Sequence, residues 1–264
     1  MLTFLDGGST HWRLYELDSA GELASVSELA PTSLDGLMRL RKPDHHHIAS
    51  GMLTSATGVY ETAYRSTPCA LACPVADREY HQGWTFLPGV VDHVNQDMMR
   101  GEDVQILGAY LSRGDGWYVV PGTHTKWVEV VDAQILQIRT FPTGELRAAL
   151  LNSPSLCFAA GAESDESAAD FLERAPDQLD SLVFWLRYQW QHQGLSASDV
   201  NAGLTQWLIK HEIKRAEGFV SGPVALVSDR TWAQAYRRCW TGSDPMVAVS
   251  NPPWKGYLEL LKCV

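Results

Sequence analysis

Apolar and polar positions along the chain switch between a period of two and a period near 3.6. That pattern predicts alternating strands and helices, hence an α/β protein. Residues 2–6 and 11–17 fit antiparallel strands joined through "DGGST", and "SAGE" at 19–22 reads as a second hairpin turn. "LDGLMRLR" has helical spacing, with Ser33 as its cap. "HHHIASGM" leads into a strand that stops at Gly51. Three consecutive histidines in a strand alternate between its faces and do not converge on one metal. Residues 66–101 are rich in Pro, Gly and polar residues with weak periodicity, which predicts long loops lining a cleft. "EDVQILGAYL" then predicts a short helix starting at Glu102.

"GWYVVPGTHTKWVEVVDAQILQIRTF" repeats the opening pattern: strand, glycine turn with hydroxyls, strand, turn, strand. Two such units, near residues 7 and 122, predict two similar halves, an N-terminal lobe over 1–112 and a C-terminal lobe over 113–264. Beyond residue 144 the pattern is mostly helical, with tryptophans and leucines between Gln178 and Gln193 at core spacing. "GPVALVSD", "RTWAQAYRRCW", "MVAVS" and "PWKGYLELLKC" close the chain as strand, helix, strand and helix.

Composition narrows the classes. The 264 residues are 45% hydrophobic and 20% charged, a globular profile. A net charge of -10 repels a phosphate backbone and argues against nucleic acid as a partner. No apolar run is long enough to span a bilayer, and the start lacks the basic and apolar regions of a signal peptide. Cys69, Cys73, Cys157, Cys239 and Cys263 lack paired metal spacing and read as reduced thiols, so a cytoplasmic location is expected. The 10 tryptophans leave aromatics for an interface, and a homodimer is expected.

The two glycine turns carry the chemistry. Glycine lets successive backbone N–H groups converge on one oxygen, and hydroxyls add donors, which is what replaces the hydration of a phosphate. The first turn offers Gly8, Ser9 and Thr10, with Asp6 at the strand tip to hold Mg²⁺ directly or through water. The second, "PGTHTKW", offers Gly122, Thr123, Thr125 and the cation Lys126. Either turn alone is commonly a plain hairpin. Two of them, each ending a buried strand in its own half, would clamp a triphosphate from both sides. Neither is a Walker loop, and a dinucleotide-binding dehydrogenase is disfavoured because a strand, not a helix, follows the first turn.

"FLDGGSTHWRLY" resembles the first phosphate hairpin of the sugar kinase, Hsp70 and actin superfamily. "SGMLTSATGVYETAY", "DMMRGEDVQILGA", "YVVPGTHTKWVEV" and "IRTFPTGELRAALL" together resemble the 2-dehydro-3-deoxygalactonokinase family, over about the first 155 residues and in order. The resemblance implies a two-lobed RNase H-like fold with the active site between the lobes. It further implies phosphorylation of 2-dehydro-3-deoxy-D-galactonate at its terminal hydroxyl by ATP and Mg²⁺. In this superfamily the base is a carboxylate at the start of the helix preceding the second hairpin, which selects Glu102, with Asp103 and Asp97 as rivals. First-turn acids also simply stabilise a helix N-terminus. Arg13 and Arg100 are candidates for the substrate carboxylate, and Thr54, Ser55 and Glu145 for its hydroxyls.

The C-terminal half departs from the family pattern. With "WLIKHEI" in register with the family's "LLIGAEI", Gln206 and Lys210 replace glycines, and Ser228-Asp229-Arg230 replaces a glycine turn after "VALV". Side chains there would compete with the nucleotide base for space. The alternative to a kinase is therefore a degenerate homologue that binds a sugar acid or phosphate as a sensor or partner protein.

Overall fold

The computed structural model describes residues 1–8, 11–162, 170–228, 230–242, 246–249 and 254–262. The chain opens with a meander: β1 (Leu2–Gly7), β2 (Trp12–Leu17) and β3 (Leu23–Leu29). Helix α1 (Leu34–Arg39) follows, its Gly36 N–H donating to Ser33 Oγ at 3.3 Å as the sequence cap predicts. Then come β4 (His46–Gly51), β5 (Tyr64–Ser66), β6 (Cys69–Ala70), β7 (Glu79–His81), β8 (Trp84–Phe86), β9 (Gly89–Asp92) and β10 (Asp97–Met99). The segment expected to be loops thus holds several short strands. Stretches of three or four residues show too little of the period-two pattern to be legible.

Helix α2 (Glu102–Arg113) leads to a second meander, β11 (Gly116–Val120), β12 (Thr125–Val131) and β13 (Gln134–Phe141). Among the described residues five α-helices and two strands follow: α3 (Thr143–Leu151), α4 (Leu179–His192), α5 (Ala197–Ala216), β14 (Val224–Val227), α6 (Arg230–Cys239), β15 (Val247–Val249) and α7 (Trp254–Lys262).

The two meanders build two sheets of one design. The first runs β3-β2-β1-β4-β8-β7 and the second β15-β14-β11-β12-β13-β6. In each, a meander of three antiparallel strands continues through two parallel ones, β4 and β8 or β14 and β15. Strands β10, β9 and β5 form a small third sheet. The repeat read near residues 7 and 122 is therefore a duplicated architecture.

Strands buried on both faces split their apolar residues between two cores. Phe4, Tyr15 and Ile48 of the first sheet and Tyr118, Val120, Val128 and Val227 of the second join one cluster with Ile106 of α2 and Tyr257 of α7. Helices α2 and α7 thus belong to the core shared by both sheets, and the Tyr257 ring stacks on Phe4 at 4.7 Å. Leu5, Trp12 and Trp84 point the other way, toward Leu37 of α1. Trp117, Val119 and Trp127 point toward Ile209 of α5 and Tyr236 of α6. The histidines alternate as expected: His46 is exposed and His47 buried against Trp84. The 112/113 division is crossed by β6 pairing with β13, by hydrogen bonds from β12 and β13 to β9 and β10, and by α7 returning to the first sheet.

Candidate active site

Three strand and helix ends meet where the first sheet faces α2. Asp6 is the last residue but one of β1, and in the parallel register Gly7 lies beside Gly51 at the end of β4. Gly51 has φ +85°, and a Cβ on it would stand 2.5 Å from the Gly7 carbonyl oxygen. Gly101, the residue before α2, has φ +101°, and a Cβ there would stand 3.1 Å from Gly51 Cα and 3.6 Å from Asp6 Oδ1. Only glycine permits these crossings, so two residues absent from the sequence-derived site set its geometry. Their signal was the glycine in "ASGM" and in "MRGED".

The crossing brings Asp6 and Glu102 together. Burial, and then the Glu102 charge, push the Asp6 carboxyl up to about 6, with Arg13 opposing. Burial also raises Glu102, opposed chiefly by Lys126. Glu102 Oε2 accepts the Arg100 backbone N–H at 2.8 Å, which fixes the carboxylate over its own helix start. Glu102 is thereby coupled both to Asp6, at the base of the first glycine turn, and to Lys126, at the base of the second.

Other expected site residues lie elsewhere or are engaged internally. Asp103 is buried and ion-paired with Arg65 Nη2 at 3.1 Å while accepting the Gly101 N–H at 3.2 Å, which makes it a structural carboxylate. Asp97 accepts the Thr140 N–H at 2.6 Å and the Thr140 hydroxyl, joining β10 to β13. Arg100 does not project into a loop region: its guanidinium is buried, donating from Nη1 to Thr54 O, Thr54 Oγ1 and Thr62 Oγ1 and from Nη2 to Thr62 O. Thr54 is engaged by that contact, and Ser55 Oγ donates to Met52 O at 2.7 Å. Arg13 is exposed on β2, 3.8 Å from Glu28.

In the second turn, period-two alternation separates two neighbours expected to act together. Thr125 faces outward to α6, its Oγ1 3.2 Å from Tyr236 OH, and is fully buried, so it is not a turn donor. Lys126 takes the inner face, and its ammonium donates to Met98 O at 2.7 Å and Thr140 Oγ1 at 2.9 Å. Thr123 and His124 form an exposed tip, and a Cβ on Gly122 would meet nothing nearer than His124 O at 4.0 Å. Glu145 pairs with His124 at 2.7 Å, and its N–H donates to Thr123 O at 2.9 Å. Gly8 closes the first turn by donating its N–H to His11 O at 3.0 Å. Ser9 and Thr10 lie outside the described residues.

Helix α5 runs unbroken through the positions where glycines were expected. Gln206 is buried and Lys210 exposed. Ser228 follows β14, and Asp229 lies outside the described residues.

Duplicated sheets with carboxylates gathered at the strand ends define the class: the two-lobed fold of actin-like ATPases and sugar kinases. At the level of fold alone, component A of (R)-2-hydroxyglutaryl-CoA dehydratase from Acidaminococcus fermentans superposes over 99% of this chain and 98% of its own, with a TM-score of 0.54 at 13% identity. The chain belongs to the 2-keto-3-deoxy-galactonokinase family, whose model matches residues 6–251. A Rhizobium meliloti (strain 1021) protein named "Probable 2-dehydro-3-deoxygalactonokinase DgoK1" is 32% identical over 88% of this chain and 86% of its own. The Escherichia coli (strain K12) 2-dehydro-3-deoxygalactonokinase is 33% identical over 63% of this chain and 61% of its own. A crystal structure of a candidate 2-dehydro-3-deoxygalactonokinase from Sinorhizobium meliloti superposes over 100% of this chain and 95% of its own, with a TM-score of 0.79 at 27% identity. The substituted glycines have not taken the C-terminal half out of the family.

Proposed function

We propose that this chain is an ATP-dependent kinase that phosphorylates the terminal hydroxyl of a 2-keto-3-deoxy sugar acid, 2-dehydro-3-deoxy-D-galactonate. The observation that carries the reading is the family match over residues 6–251, and the close approach of the α2 start to the β1 end supports it, a Cβ on Gly101 standing 3.6 Å from Asp6 Oδ1. Phosphoryl transfer needs positioning and charge neutralisation more than covalent chemistry. Glu102 orients the attacking hydroxyl and accepts its proton. A carboxyl pushed upward by burial is a stronger base than an exposed one. Ser9 and Thr10 of the first turn and Gly122 and Thr123 of the second would receive phosphoryl oxygens, while Gly8 shapes the first turn through its N–H bond to His11 O. Lys126 contributes positive charge from the inner face while its ammonium stays tied to Met98 and Thr140.

Asp6 is the residue that would hold Mg²⁺. Among the described residues no group of three or more His, Cys, Asp or Glu could hold a metal. Mg²⁺ is commonly bound through one or two carboxylates, substrate phosphates and water. Two mutually repelling carboxyls at Asp6 and Glu102 also fit a site completed by a cation. When bound, Mg²⁺ would neutralise phosphoryl charge. The halves 1–112 and 113–264 form the walls of the cleft, with α7 returning to the first. No described helix is long and apolar enough to cross a membrane.

A coupled ADP-release assay with 2-dehydro-3-deoxygalactonate tests the reading. Turnover dependent on both substrates is expected. Absence of turnover, together with thermal stabilisation by the sugar acid but not by ATP, would show a binding protein instead.

A further inference from the structure

The second turn has an exposed tip, so its shape must be held from beneath. The group at the centre of that support is Glu212 of α5, a buried carboxylate the mechanism above does not use. Its Oε1 accepts from Trp127 Nε1 at 2.7 Å and from Tyr236 OH at 2.7 Å, and its Oε2 accepts the Thr143 hydroxyl. These donors come from β12, α6 and the first residue of α3. Among the described residues no cation stands within ion-pair distance of it, so hydrogen bonds alone offset its burial.

Each contact leads to the turn. Thr143 fixes the start of α3, where Gly144 is pressed so close that a Cβ would stand 2.3 Å from Gly122 O and 2.9 Å from Thr123 Cα. The next residue, Glu145, donates its N–H to Thr123 O at 2.9 Å. Tyr236 reaches Thr125, the residue that ends the turn, at 3.2 Å. Residues 122–125 are thereby gripped from the side and from the end by elements that converge on one carboxylate.

We infer that Glu212 is a positioning residue that pre-shapes the Gly122–Thr123 turn for the phosphates of ATP. The inference rests on the kinase reading. It states that Glu212 acts on nucleotide binding through Thr143 and Tyr236, without touching either substrate. Groups that hold a binding shell in place typically change affinity or activity about 10- to 100-fold when removed.

The experiment compares wild type with Glu212→Ala and Glu212→Gln. In Gln, Oε1 keeps the Trp127 and Tyr236 donors while the amide donates to the Thr143 hydroxyl. Glu212→Ala is expected to raise KM for ATP about 10-fold or more, with KM for the sugar acid within about twofold. Glu212→Gln should restore KM for ATP to within about threefold of wild type. Independently of activity, amide hydrogen exchange in a peptide covering 121–126 should accelerate about tenfold in Glu212→Ala, with no change in 2–12. Equal shifts in both KM values, or unaltered exchange in 121–126, would overturn the inference even in an active kinase. A wild type that lacks ATP-dependent turnover would instead overturn the kinase reading and leave the exchange result to decide the anchoring. If Glu212→Ala does not fold, Thr143→Val must reproduce the ATP-selective rise, and an unchanged KM for ATP there overturns the inference.

Discussion

Replacing Arg100 by Met separates a substrate cation from a structural one. The guanidinium makes four hydrogen bonds, at 2.6, 2.9, 2.7 and 3.1 Å, and its side chain is buried. At about 1.5–3 kcal/mol for each bond to a charged group, a naive sum is far too large. Most acceptors keep other partners. Thr54 O also accepts Thr62 N–H at 3.1 Å, Thr54 Oγ1 donates to Gly51 O at 3.0 Å, and Thr62 Oγ1 lies 3.3 Å from both Thr54 O and Leu87 O. The Thr62 carbonyl loses most. Part of the gain also offsets desolvation of a cation that has no carboxylate partner among the described residues. Met retains an apolar stem against the Tyr64 ring, over which Arg100 Cζ stands at 4.1 Å. A net loss of about 3 kcal/mol follows, equivalent to a fall in Tm of roughly 6–12 °C. Thermal unfolding and steady-state kinetics on the same preparation check it. A Tm within about 2 °C of wild type, combined with a KM for the sugar acid raised about 100-fold and an unchanged KM for ATP, would refute the reasoning and make Arg100 a substrate ligand.

Glu102→Gln keeps an acceptor for the Arg100 N–H and should lower kcat about 10²- to 10⁴-fold with little change in Tm, and full activity would remove Glu102 from the base role. Asp103→Asn strands the buried Arg65 and should cost about 3–5 kcal/mol in urea unfolding, while kcat of the folded fraction stays near wild type. His47 is pushed down to about 4 by burial, and its Nε2 accepts the Lys42 N–H at 3.0 Å, so only the unfolded chain binds a proton between about pH 6.5 and 4. The His47 share of stability should therefore be lost as pH falls through that window, by about 2 kcal/mol at pH 5, while the raised Asp6 carboxyl acts with the opposite sign; the stability difference between wild type and His47→Gln should change by that amount between about pH 7 and 5.

The chain's own order of residues determined the alternation of elements, the Ser33 cap, the duplication around residues 7 and 122 and the family. Each of these is written in local periodicity or in contiguous motifs. Local sequence marks Asp6 as a carboxylate at a strand tip, whereas Glu102 is preferred over Asp103 and Asp97 only through the family resemblance, and the roles of both are proposals. Tertiary structure alone decided what neighbouring candidates do. Thr125 and Lys126 are adjacent in sequence, yet the pleat sends one to Tyr236 and the other toward Glu102. Asp103 sits beside Glu102, but the turn of α2 delivers it to Arg65, 38 residues away. Arg100 and Glu212 were equally opaque, since whether a buried charge serves the substrate or the scaffold depends on the acceptors and donors that distant strands bring to it. Those partners are fixed by packing between elements, which no stretch of neighbouring residues contains.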